Sequence, residues 1–111
     1  MYLKTYLGSR ISEFKELCHA HDVENLYAFG SATNENFDEE SSDVDLLIEV
    51  KSEDPIERGE KLMAIWDKLE IFFQKKVDLL TNSGIKNPIL RKNIDATKIL
   101  IYDGKEQKVL I

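Results

Sequence analysis

Five residues of this sequence are of types and spacings that could do chemistry together. Gly30 and Ser31 are adjacent, eleven residues separate Ser31 from Asp43, a single residue separates Asp43 from Asp45, and Asp78 lies further along. Side chains alternate along a strand, so two aspartates separated by a single residue share a face. In Ser42-Asp43-Val44-Asp45-Leu46 that puts both carboxylates on one side, with Val44, Leu46 and Ile48 on the other, where a core would want them. Carboxylates this close repel, and one tends to hold a proton. A divalent cation between them removes the penalty, and a ligand set made only of oxygen suits Mg²⁺ or Mn²⁺ rather than zinc. Asp78 stands between Val77 and Leu79, a poor place for an aspartate without a task. If its strand lies beside the one bearing Asp45, the three acids form a cluster suited to two-metal phosphoryl transfer. Gly30 lets a phosphate approach the backbone with no Cβ in the way, and Ser31 adds a hydroxyl and an N–H. A short helix starting there would supply further free N–H groups.

The flanking sequence predicts the elements that must hold these residues. Asn25–Phe29 reads as a strand ending at Gly30-Ser31, and Val44–Val50 as the clearest strand of the chain. Lys76–Thr81 reads as a third strand and Thr97–Tyr102 as a fourth. Asp103-Gly104 marks a hairpin turn, with Val109–Ile111 returning. Ser9–His21 is predicted helical, with Ser9 as N-cap and Ile11, Phe14, Leu17 and Cys18 as its apolar stripe. Asp54-Pro55-Ile56-Glu57 is a strong helix start. That helix is expected to run to about Leu69 with Ile56, Met63, Trp66 and Leu69 facing the core. A further short helix is expected over Pro88–Asp95. His19 and His21 fit an exposed helix end, and Cys18 a small core residue. The order predicts an α/β (α+β) fold, a small mixed sheet with helices packed against it, in one domain over residues 1–111.

The pattern Gly30-Ser31, Asp43-Val44-Asp45 and a later strand Asp78 resembles the DNA polymerase beta-like nucleotidyltransferase superfamily, and within it the minimal nucleotidyltransferase (MNT) domains. The resemblance runs from about Leu26 to Asp103. It implies that Asp43, Asp45 and Asp78 are the catalytic, metal-binding carboxylates, with two Mg²⁺ ions (or Mn²⁺) as cofactor, and that Gly30 and Ser31 contact the triphosphate of a nucleotide such as ATP. It also implies a partner: many MNT proteins resemble the antitoxin of a pair whose other half is a helical HEPN ribonuclease toxin, and some transfer AMP onto that toxin. The sequence departs from the family in one place. Many members read GS-R-A-R-G, whereas here Ala32 and Asn34 replace the arginines and Glu35 the glycine, ahead of an acidic loop with Asp38, Glu39 and Glu40. Fewer cations beside a triphosphate weaken its binding and the stabilisation of the transition state. Two functions therefore stand side by side: Mg-dependent transfer of a nucleoside monophosphate to a hydroxyl acceptor, and a non-catalytic antitoxin that keeps a weakened nucleotide site.

Composition narrows the setting. The net charge of −6 opposes tight nonspecific binding to long nucleic acids, which needs clustered Lys and Arg. No apolar run approaches the ~20 residues that span a bilayer. Met1–Arg10 lacks the apolar centre of a signal peptide, and the single cysteine allows no intrachain disulfide, so a cytoplasmic location is expected.

Overall fold

Val44–Val50 (β2) is the strand on which the fold turns. Val44, Leu46, Ile48 and Val50 are buried in the main core, while Asp45, Leu47 and Glu49 look out from the opposite face. The computed structural model describes all residues, 1–111, and places β2 in a five-stranded mixed sheet. The other strands are β1 (Val23–Phe29), β3 (Val77–Leu80), β4 (Ile99–Asp103) and β5 (Lys108–Val109), in the order β3-β2-β1-β4-β5. The β2–β3 pair is parallel and the others antiparallel.

The helices are α1 (Tyr2–Gly8), α2 (Ile11–Ala20), α3 (Pro55–Phe73) and α4 (Pro88–Thr97). α1, α2 and α3 cover one face through Leu3, Leu7, Phe14, Cys18, Ile65, Leu69, Phe72 and Phe73. α3 is the crossover that parallel strands require. It starts as its sequence dictates: the Asp54 carboxylate accepts the Ile56 N–H at 3.0 Å and Pro55 occupies the first turn. It ends at Gln74, whose φ of 53° turns the chain out of the helix. The opposite face carries a smaller cluster of Phe29, Leu47 and Ile94 under α4, which Asn87 caps through its side-chain oxygen.

Three expectations need correction. α1 was not predicted: it has no side-chain cap and no acidic first turn, and it forms because Leu3 and Leu7 are buried in the core. Ser9 therefore closes α1 and does not cap α2, which starts at Ile11 without a capping side chain, and Ile11 itself is exposed. In α3 the face is as expected at Leu69, which is buried, and at Trp66, which packs against the core, but Ile56 and Met63 are 75% and 60% exposed, and Ile65, Phe72 and Phe73 join Leu69 in the core. Both sets recur at helical spacing, and only packing selects between them. The strands β2 and β3 lie where the sequence puts them, and the hairpin after Asp103 closes on β5. Gly104 is required there, since a Cβ would lie 2.0 Å from the Val23 carbonyl oxygen. No helix is long and apolar enough to cross a membrane.

Candidate active site

In the parallel β2–β3 ladder Asp45 is the register partner of Asp78, and Val44 of Val77. Neighbours in register point the same way, so Asp45 and Asp78 stand side by side on the face opposite the main core. Burial pushes the Asp45 carboxyl up to about 6, and the Asp78 charge, a hydrogen bond shared with Asp78 and the Asp43 charge add to the rise. Without a cation, Asp45 thus keeps its proton up to about pH 6, well above the ordinary carboxylate range. A proton in that place is the smallest stand-in for a metal ion between two carboxylates, and the all-oxygen donor set fits a hard divalent ion.

Asp43 sits just before β2. Its carboxylate lies 4.0 Å from the ammonium of Lys76, an exposed pair worth about 1 kcal/mol or less. The three acids do not form a ready-made three-ligand cage: Asp45 and Asp78 are paired, and Asp43 leans to Lys76.

The chain reaches Gly30 directly from β1, whose last residue, Phe29, pairs with Asp45. Gly30 has φ +71°, in the left-handed region, and a Cβ there would lie 2.6 Å from the Asp45 Oδ2. Both facts demand glycine, so the backbone of Gly30 lies against the Asp45 carboxylate. Gly30–Thr33 forms one 3₁₀ turn rather than the start of a longer helix, and Ser31 is half-buried within it. Thr33 donates to the Gly30 carbonyl at 2.7 Å, and Asn34 donates to the same carbonyl at 3.4 Å while accepting the Asn36 N–H at 2.8 Å. Ala32 is fully buried. The two positions at which the resemblance implies arginines are thus used for packing and for closing the turn.

Beside the acid pair opens a cavity of about 350 Å³, lined by Phe29, Asp45, Trp66, Asp78, Leu79, Leu80 and Leu90. A larger cleft of about 460 Å³ lies at the other ends of β2 and β3, between Arg58, Ser52 and Thr81–Ser83. It contains none of the three aspartates, so the smaller cavity is the one that matters for their chemistry. Of the cations Lys51, Lys76 and Arg91, only Lys76 reaches the acids. Arg91 is committed to Asn82, donating to its side-chain and backbone oxygens at 2.7 Å each, and Lys51 follows the far end of β2. Sequence reasoning gave Trp66, Phe29 and Leu90 no part in the site. Strand pairing brings Phe29 there, α4 brings Leu90, and α3 brings Trp66 to the edge of β3, and none of these is written in local pattern.

A family model described as polymerase beta, nucleotidyltransferase matches residues 12–107. The chain belongs to this family. Two relatives from Methanocaldococcus jannaschii, each provisionally named a protein adenylyltransferase, are similar to this nucleotidyltransferase domain. One is 38% identical over 88 residues, spanning 78% of this chain and 85% of the relative. Another is 33% identical over 99 residues, spanning 82% and 97%. Among solved structures, a provisionally assigned minimal nucleotidyltransferase superposes with a TM-score of 0.67 at 26% identity, over 89% of this chain and 95% of that one. A toxin–antitoxin structure containing AMP-PNP shares the fold, with a TM-score of 0.57 at 18% identity, over 86% and 76%.

Proposed function

We propose that this domain transfers the adenylyl group of Mg-ATP to a hydroxyl of a protein acceptor, with a HEPN-type toxin as the acceptor class. The observation that carries the reading is the Asp45–Asp78 pair, in register on adjacent strands beside a cavity and against the backbone of Gly30. The relatives named for protein adenylylation support the donor and the acceptor class. The toxin–antitoxin structure with AMP-PNP, alike in fold, is the reason to look for the acceptor in a toxin.

Asp43, Asp45 and Asp78 would hold the metal. When bound, Mg²⁺ neutralises triphosphate charge and lowers the pKa of an attacking hydroxyl. Gly30 and Ser31 receive the phosphates, Gly30 by close backbone approach and Ser31 by donation. Leu79, Leu80 and Leu90 exclude water from one side of the cavity. In the transfer, the acceptor oxygen forms a bond to the α-phosphorus, and the bond from that phosphorus to the bridging oxygen breaks. Pyrophosphate leaves with the bonding electrons, and the hydroxyl proton passes to a carboxylate of the aspartate group.

A second reading, antitoxin by occupancy with a weakened nucleotide site, is favoured by one observation: a single exposed lysine, Lys76, is the cation found at the acids. Calorimetric titration with ATP, with and without Mg²⁺, separates the two. Mg-dependent binding, followed by transfer of label from α-labelled ATP to a HEPN partner with pyrophosphate release, supports the enzyme. Mg-independent or absent binding, with the partner still neutralised, supports occupancy.

A further inference from the structure

β3 is an edge strand of four residues, bonded to β2 on one side only. A slip of this short ladder by one residue would turn Asp78 to the opposite face. At Val77 the outer side of β3 is not left to solvent. Trp66 Nε1 donates to the Val77 carbonyl at 2.7 Å, and Glu70 Oε2 accepts the Val77 N–H at 2.9 Å. Trp66 and Glu70 are four residues apart on α3 and therefore lie one above the other on the same side of the helix. Together they take both backbone hydrogen-bonding groups of the residue just before Asp78. Trp66 also lines the cavity that contains Asp45 and Asp78. α3 itself is fixed independently, through Ile65, Leu69, Phe72 and Phe73 in the main core.

We propose that Trp66 and Glu70 are positioning residues for the transfer site, holding Asp78 in register with Asp45 by clamping both polar groups of Val77. The proposal rests on the reading of Asp45 and Asp78 as ligands of the Mg-nucleotide. Neither residue needs to touch the nucleotide. The N–H of Trp66 and an acceptor oxygen at position 70 are the parts that matter, and the negative charge of Glu70 is not.

Three single variants test this in the full chain: Trp66→Phe keeps a ring but loses the donor, Glu70→Ala loses the acceptor, and Glu70→Gln keeps an acceptor oxygen without the charge. The expected result is amide exchange at Val77 about tenfold faster in Glu70→Ala, and Mg-ATP affinity five- to tenfold weaker in Glu70→Ala and Trp66→Phe, with unchanged far-ultraviolet circular dichroism. Glu70→Gln should restore both exchange and affinity. If Glu70→Gln is as impaired as Glu70→Ala, Glu70 acts by its charge and the clamp is overturned. It is overturned equally if Val77 exchange accelerates while Mg-ATP affinity stays at the wild-type value. A wild type that binds no Mg-ATP would sink the proposed function instead. The clamp is then decided by a crystal structure of Trp66→Phe/Glu70→Ala, in which β3 must shift against β2 at Asp78 and an unchanged register refutes it.

Discussion

The two faces of the sheet are built from the same strands and differ in almost every physical respect. Under α1–α3, β2 presents Val44, Leu46, Ile48 and Val50 to a large apolar core with aromatic rings in contact throughout, as where Phe72 and Phe73 lie 5.0 Å apart edge to face. Under α4, the same strand presents Asp45, Leu47 and Glu49, and the apolar cluster has only three buried residues, Phe29, Leu47 and Ile94. Burial is concentrated on the first face and the proposed chemistry on the second. The second can carry two adjacent carboxylates, one with a raised pKa, because the first supplies the burial that keeps the chain folded.

The comparison is broken most strongly from the core side. Phe73→Ala should cost about 3–5 kcal/mol, lowering the midpoint in urea, because the side chain is fully buried. At urea concentrations where the variant stays folded, Mg-ATP affinity should change little; a large loss of binding with little loss of stability would erase the division between the faces. Gly30→Ala comes next, with about 1–2 kcal/mol lost to the left-handed backbone. The added methyl displaces the Asp45 carboxylate, so this variant should also bind Mg-ATP at least tenfold more weakly in calorimetry.

Asp45→Asn should move the two properties in opposite directions. Mg-dependent nucleotide binding should vanish, while the metal-free protein gains on the order of 1 kcal/mol at pH 7.5 after discounting for solvent screening of a half-exposed group. The gain depends on pH. The folded pKa of Asp45 lies above its ordinary value of 3.8, so the folded state resists ionisation. Metal-free wild type should therefore lose stability as pH rises from about 3.8 through about 6, with no further loss above that, and Asp45→Asn should flatten this part of the curve. Melts across this range, with and without Mg-ATP, check both halves. The smallest effect is expected from Lys76→Ala: under 1 kcal/mol in stability, and a few-fold loss of Mg-ATP affinity that shrinks as salt is raised. A loss that ignores salt would mean that Lys76 acts by some means other than its charge.

The chemistry-bearing strand was legible because three local signals agree in Val44–Val50: alternation, β-branched residues and bounding polar residues. The α3 start was legible for the same reason, since Asp54 and Pro55 each state one requirement of a helix N-terminus. Its inward face was legible only in part, because Ile56 and Met63 compete at the same period with Ile65, Leu69 and Phe72. α1 was hidden because its stability comes from long-range contacts of Leu3 and Leu7. The acids could be grouped only on the condition that β3 lies beside β2, and the ladder meets it. What no local pattern could show is the turn at Gly30–Thr33, where Ala32 is buried and Asn34 ties the backbone, or the hold of α3 side chains on the backbone of Val77.

That hold has a consequence for how copies of the protein meet one another. An open edge strand is a template on which a second chain can add a strand, the first step toward sheet-to-sheet aggregation. On β3 the donor and the acceptor of Val77 are already occupied by an indole and a carboxylate. At the other border β5 has two residues, too few to template a ladder. Strand addition is thus opposed at Val77 on one border and by the shortness of β5 on the other, which favours recognition of a partner by side chains over recognition by a shared strand.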